Sequence, residues 1–574
     1  MLAATATILS PLQATLGVLA SESTEKISPN NGPIAGNQEV QIDASLIRSS
    51  AKKLISGERV TTLLTDQGQV YIWGYDTGIK DPNDPAISET YDHPVELEYL
   101  RDKKIISIYS DRYDTTYALT QTGEVYVWGL GSFGELGLGD DQSQAITPTL
   151  ISGLTGITQM FVAGEFQPSI YALSSSGEIY AWGDNQYGQL GLGDEDGRST
   201  PTKITLPAGV SFESMGTSEG SGGSVFAVDA DGKLYGWGNN DSGQLGLGDT
   251  TSRTIPTQIS VPNNDKIKSV TVSSNWGIST YAISTTGNVY SFGSNFYQML
   301  GLGDAYAGQD QVTSPVKITT LADKEVKKIN VGVESVAAIL SSGDVYAWGN
   351  NSSGQLGIGQ NDWSEYGTPT KTLINEPISQ LISITDRTHQ STKLALSESG
   401  DLYIWGANAN GIAGTLVTDW NISTPQKAAL PNNRKFSIIP DESNAGSSGS
   451  NPTPIFVQDT ESNLCVFGDT TAMYIGYSSG LGLLQPEDII LSGDVNVIPT
   501  FISNLDIIEV YFGNERATSF SVTSDGDIIA VTPSHPAGVV DVKLVFSNGS
   551  EKTLQASYEY VEDITPGVPN TGGK

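Results

Sequence analysis

Asp231-Gly232-Lys233-Leu234-Tyr235-Gly236-Trp237-Gly238, continuing Asn239-Asn240-Asp241-Ser242-Gly243-Gln244-Leu245-Gly246-Leu247-Gly248-Asp249, is the stretch that decides the fold. The Asp-Gly pair supplies the positive backbone angle of a hairpin turn. The run after it places alternate side chains on opposite faces of a strand, as Val125-Tyr126-Val127-Trp128 does more plainly. A glycine-rich loop follows.

The passage recurs. Tyr71-Ile72-Trp73-Gly74, Tyr126-Val127-Trp128-Gly129, Tyr180-Ala181-Trp182-Gly183 and Tyr290-Ser291-Phe292-Gly293 repeat the hairpin, as do Tyr346-Ala347-Trp348-Gly349 and Tyr403-Ile404-Trp405-Gly406. A degenerate copy at Leu464-Cys465-Val466-Phe467-Gly468 makes eight. A unit of about 55 residues suits a four-stranded blade. The tryptophans at 73, 128, 182, 237, 348 and 405 share one register, which packing between blades requires, so they read as core. A proline after each loop (148, 201, 256, 315, 369 and 425) opens another strand.

Tyr-x-Trp-Gly-x-Asn-x-x-Gly-Gln-Leu-Gly-x-Gly resembles the signature of regulator of chromosome condensation repeats, over residues 50–505. The resemblance implies an all-β fold: a single β-propeller of seven or eight four-stranded blades, with the hairpin count favouring eight. Members include a nucleotide exchange factor for a nuclear GTPase, plant photoreceptors with Gly-Trp-Arg-His-Thr motifs, and inhibitors that cap secreted β-lactamases. No Gly-Trp-Arg-His-Thr motif occurs here.

Charge prunes these options. Thirty Lys and Arg against 64 Asp and Glu leave −34, without the cationic surplus that nucleic-acid binding draws on. No nucleic-acid partner is expected. Cys465 is the only cysteine, so no intramolecular disulfide can form. Gly129-Leu130-Gly131-Ser132-Phe133-Gly134 has the spacing of a dinucleotide-binding turn, but its place in the repeat makes it a blade loop. Asp140, Asp194, Asp249 and Asp304 each follow Gly-x-Gly without the dense oxygen ligands of a calcium site, and read as turn residues. No cofactor or metal is expected. His93, His389 and His535 stand in three different segments and suggest no catalytic constellation.

The termini carry address information. Residues 1–20 are apolar and small, like the later part of a secretory leader ending Val18-Leu19-Ala20. Residues 563–574 form a linker in which Val568-Pro569-Asn570-Thr571-Gly572 resembles a sortase signal, with Thr571 as the residue joined to the envelope. Val568 departs from the usual leucine. Pro11 interrupts the leader, and no transmembrane segment is expected. Residues 27–46 resemble the opening of an IPT/TIG immunoglobulin-like sandwich whose remaining strands appear only at 506–562. The propeller therefore reads as an insertion into that split domain; the alternative makes 27–46 a stalk.

Function is expected on the loops. The loop before the apolar strand of each hairpin varies at one register: Arg112-Tyr113, Phe166, Glu219, Trp276, Glu334 and His389. Longer loops add Trp363, Tyr366 and Trp420. Such variation with exposed aromatics suits a binding face, although the same rings could instead cover blade ends. The reading is an exported, monomeric, non-enzymatic protein of the cell surface or wall, holding a protein or glycan on one propeller face. The alternatives are an intracellular exchange factor for a small GTPase and, more remotely, a polysaccharide-degrading enzyme.

Overall fold

A computed structural model describes residues 27–42, 51–56, 60–74, 91–111, 115–139, 143–164, 167–217, 223–273, 278–385, 391–408, 421–427, 435–438, 455–459, 464–467, 496–498, 507–523 and 527–561. The chain divides into two compact units, residues 50–500 and the two chain ends together.

In the larger unit every strand pairs with its sequence neighbour. Eight four-stranded antiparallel sheets result, spanning 51–96, 105–150, 157–203, 212–259, 267–317, 326–371, 378–427 and 436–498. They are numbered one to eight below. Sheet four shows the build: strands Phe212–Thr217, Ser224–Asp229, Leu234–Gly238 and Arg253–Ile259, with Val225 opposite Trp237. At its hairpin turn Gly232 takes φ 80°. The Asp229 carboxylate accepts from the Lys233 N–H at 2.8 Å and closes the turn. Thr65, Thr120, Ser174, Ser284 and Ser397 do the same with a hydroxyl, so one short polar side chain sets the register of six hairpins, while sheet six has Leu340 there and closes through backbone bonds.

First strands of consecutive sheets touch one another from sheet one to sheet seven, which makes them the inner strands of a fan. The second strands Ser169–Ser174 and Ser279–Ser284 are wholly buried, whereas no residue of the fourth strand Arg198–Lys203 is. Burial of both sheet faces follows. Val125 and Val127 pack with Trp182 of sheet three, while Tyr126 and Trp128 pack with Leu64 and Ile72 of sheet one. Alternation along the strand thus assigns side chains to the two neighbouring sheets. Neither face of the third strand is left for water.

The repeated aromatic residues close the seams. The Gln189 carbonyl accepts from Tyr171 Oη of sheet three and from Trp237 Nε1 of sheet four, both at 2.7 Å. The Glu135 carbonyl likewise joins Tyr117 to Trp182, and the Met299 carbonyl joins Tyr281 to Trp348. Gly191 sits against the Trp237 ring at φ 70°; a Cβ there would lie 2.8 Å from Nε1. Its equivalents 137, 246, 301 and 357 meet Trp182, Phe292, Trp348 and Trp405 in the same way. The Gln-Leu-Gly signature is therefore a lock between blades. The six tryptophans are buried to 2% exposure or less, in agreement with their reading as core.

In the smaller unit, residues from both chain ends share two sheets. Ile27–Ser28 and Glu39–Ile42 join Ile528–Val531 and Ser519–Val522 in one. In the other, Asn31–Pro33 runs parallel to Glu551–Val561, beside Gly538–Phe546, Ile507–Phe512 and Glu515–Arg516. Val40, Ile42, Ile528 and Ala530 of the first meet Phe512, Leu544, Phe546, Tyr558 and Tyr560 of the second in one core. Asn37 takes φ 68°, a conformation asparagine tolerates, and its N–H reaches the Thr532 carbonyl at 2.8 Å. Residues 27–42 are thus integral strands of this sandwich. The leader-like residues 1–20 and the linker with Thr571 lie outside the described residues.

Candidate functional site

Antiparallel order dictates where the connections emerge. Those joining first to second and third to fourth strands lie at one end of the repeat unit. The hairpin turns and the links between sheets lie at the other. Both groups of loops singled out in the sequence belong to the first end. Tyr113, Phe166, Trp276, His389 and Trp420 fall outside the described residues, between strands that terminate there.

The glycine-rich connections are braced by hydrogen bonds and ion pairs. In sheet four, Asn240 Nδ2 donates to the Asp249 carbonyl at 2.9 Å, while its Oδ1 accepts from the Leu245 N–H at 2.8 Å. Gln244 Oε1 accepts from the Ser242 N–H. Asp249 holds Arg253 at 2.8 Å, and Asp194 holds Arg198 at 2.7 Å in the preceding sheet. The arginine beside each carboxyl holds it below the usual carboxylate range. These aspartates serve the turn, as their spacing suggested. After Gly134, the Glu135 carboxylate accepts from the Ser132 and Phe133 N–H groups, and the next element is the strand Gln144–Leu150. Among the described residues of this connection no helix begins where a dinucleotide phosphate would need one.

Trp363 and Tyr366 differ in kind. Trp363 is 92% exposed, in the third connection of sheet six. Tyr366 is half-buried in the fourth strand, its hydroxyl 2.9 Å from Gln360 Oε1 and 3.0 Å from Asp362 Oδ2. Burial, then the Asp362 carboxylate, pushes its phenol up. Trp363 is an exposed ring, whereas Tyr366 braces the connection that carries it.

Two further exposed rings escaped the sequence reading. Phe133 is 44% exposed and Phe296 51% exposed, both on third connections at the same end. The available signal was position: Phe133, Tyr187 and Tyr297 all stand one residue before the turn position usually filled by glycine, and Phe296 precedes Tyr297. Phe296 and Tyr297 pack edge to face at 4.4 Å.

Charge separates the two ends. Among the described residues between the strands of the first seven sheets, connections at this end carry twelve acidic residues and no basic one. Those at the other end, including the lead into sheet eight, carry thirteen and seven. The face is acidic, ringed and framed by braced loops, an arrangement able to grip a cationic or planar surface. Elsewhere, His535 contacts its neighbour Pro536 through Nδ1 and stacks on Tyr560 at 4.9 Å. Among the described residues no three His, Cys, Asp or Glu side chains gather as metal ligands, and no helix is long and apolar enough to cross a membrane.

The family model described as regulator of chromosome condensation (RCC1) repeat matches residues 122–166, 176–221, 231–277, 286–339 and 342–384, and a second RCC1 repeat model matches 326–355. The first of these begins at a hairpin turn and ends in the first connection of the next sheet, so the repeat straddles a seam. The ultraviolet-B receptor UVR8 of Arabidopsis thaliana is 33% identical over 323 residues, 56% of this chain and 69% of the receptor. The human E3 ubiquitin-protein ligase HERC2 is 29% identical over 326 residues, 57% of this chain but only 6% of the ligase. Yeast RCC1 (Prp20), solved bound to Kap60, has a TM-score of 0.49 at 17% identity, covering 70% of this chain and 89% of that one.

Proposed function

Because the chain belongs to the regulator of chromosome condensation repeat family, we propose that it is a non-enzymatic binding protein whose propeller captures a protein with the connection-bearing end. The observation that carries this reading is the contrast between the ends: one has hydrogen-bonded loops with three strongly exposed rings and unbalanced negative charge, the other shorter turns and links with Tyr99 as its exposed ring and mixed charge. In this reading the eight sheets close into one ring. The sandwich is an IPT/TIG immunoglobulin-like mount into which the propeller is inserted, since a closed ring returns its ends close together. The chain is exported and attached to the cell envelope, with Thr571 as the attachment residue.

The test uses the full chain and its Trp363→Ala and Phe133→Ala variants as bait for identified partners. A partner retained by the parent and lost from the variants, with melting unchanged, supports the reading. Retention by all three, or GTPase nucleotide release catalysed by the chain, refutes it. For the address, mass spectrometry of the mature protein should find the leader absent and Thr571 linked to envelope material. An unprocessed chain in the cytosol overturns that part.

A further inference from the structure

The seam between sheets five and six breaks the repeat in a compensated way. Where other third connections place glycine (188, 243 and 354, φ 71–74°), sheet five places Gln298 at φ 53°, directly after Tyr297 at φ 53°. Two consecutive side-chain-bearing residues therefore hold the left-handed conformation that glycine normally takes. Across the seam the glycines meet Thr254, Thr313 and Ser423; Gln298 instead meets Gly367, where a Cβ would lie 2.2 Å from Gln298 Oε1. Glycine has changed sides. Strained backbone maintained by a matching change opposite points to a position held for what it displays.

The connections that flank this seam carry aromatic and acidic residues. Phe296 is 51% exposed, and Trp363, two residues before Glu365, is 92% exposed. Gln298 Nε2 donates to Glu365 Oε2 at 3.4 Å, tying the fifth connection to the sixth sheet. Glu334 accepts from Asn350 Nδ2 at 2.7 Å on the same side, and burial together with the Glu334 and Glu365 carboxylates pushes the Tyr297 phenol up. Ring faces beside carboxylates complement a cation carried on an alkyl or planar stem.

Resting on the protein-binding reading above, we infer that this seam is the anchor point of the binding face, and that its occupant is an arginine- or lysine-rich polypeptide segment. The partner's cationic side chain lies across Phe296 and Trp363 with its head towards Glu365. The excess negative charge of the surrounding connections steers such a segment to this end and makes capture sensitive to salt. A neutral glycan would gain the rings but nothing from the charge, and an acidic protein would be repelled.

A labelled oligo-arginine peptide titrated onto the full chain by fluorescence anisotropy tests this. The parent should bind, more weakly as salt rises. Phe296→Ala/Trp363→Ala should bind at least about tenfold more weakly with the same melting temperature. Tyr99→Ala, an exposed ring at the opposite end, should change nothing. Gln298→Gly/Gly367→Thr, which restores the arrangement of the other seams, should fold at least as well and also bind more weakly. No peptide binding by the parent, or equal binding by the double alanine variant, overturns the inference. If a neutral or acidic partner is instead lost through Phe296→Ala/Trp363→Ala, the cationic occupant is wrong while the binding end stands. A partner indifferent to every variant sinks both.

Discussion

Trp237 shows how much of the fold one side chain carries. Its ring fills the seam between sheets three and four, and its Nε1 shares the Gln189 carbonyl with Tyr171. Replacing it with phenylalanine removes the hydrogen bond and keeps most of the packing, a state already present at Phe292 in sheet five. We expect Trp237→Phe to lose roughly 1 kcal/mol and Trp237→Ala about 3–5 kcal/mol in urea denaturation. Gly191→Ala should approach the larger loss, because the new methyl meets Trp237 and the backbone stands at φ 70°. Equal stability of Gly191→Ala and the parent would show that the lock is not there.

The hairpin of sheet seven is tied at the other end by charge to the lead into sheet eight. Asp401, in the hairpin turn of sheet seven, holds Lys427 at the end of its own fourth strand and Lys435 before sheet eight, each at 2.6 Å. Burial opposes ionisation, but hydrogen bonds from the two lysines prevail and bring the carboxyl down to about 2 from 3.8. A carboxyl lowered on folding stabilises the fold above its unfolded value and loses that contribution as pH falls towards the folded one. Asp401→Asn should therefore be less stable than the parent at neutral pH, and the two should converge between pH 4 and pH 2 in acid denaturation. A constant gap across that window would assign the effect to packing. The hairpins themselves were legible in sequence because glycine and aromatic residues recur in register. The seam partners were not, since a shared carbonyl has no residue type: Glu135, Gln189 and Met299 serve equally.

Across the whole molecule, the two units draw on different parts of the chain, and that division is testable. Removing residues 1–46 takes away three strands of the sandwich and the core residues Ile27, Val40 and Ile42. Calorimetry should then lose the transition of the smaller unit and keep that of residues 50–500. Loss of both would mean that the repeat unit depends on its flanks. Periodicity determined the repeated hairpin, a unit of four-stranded length and the buried tryptophans, and its hairpin count favoured eight sheets over seven, because each repeat writes the same local solution in nearly the same letters. The pairing of residues 27–42 with strands beyond residue 507 was legible as well, through a pattern left incomplete at one end and completed at the other. Only the tertiary structure decided which loops share an end, which rings stand exposed, and that Gln298 and Gly367 exchange roles across a seam. Those facts depend on residues about seventy positions apart meeting in space, and no local pattern records a meeting.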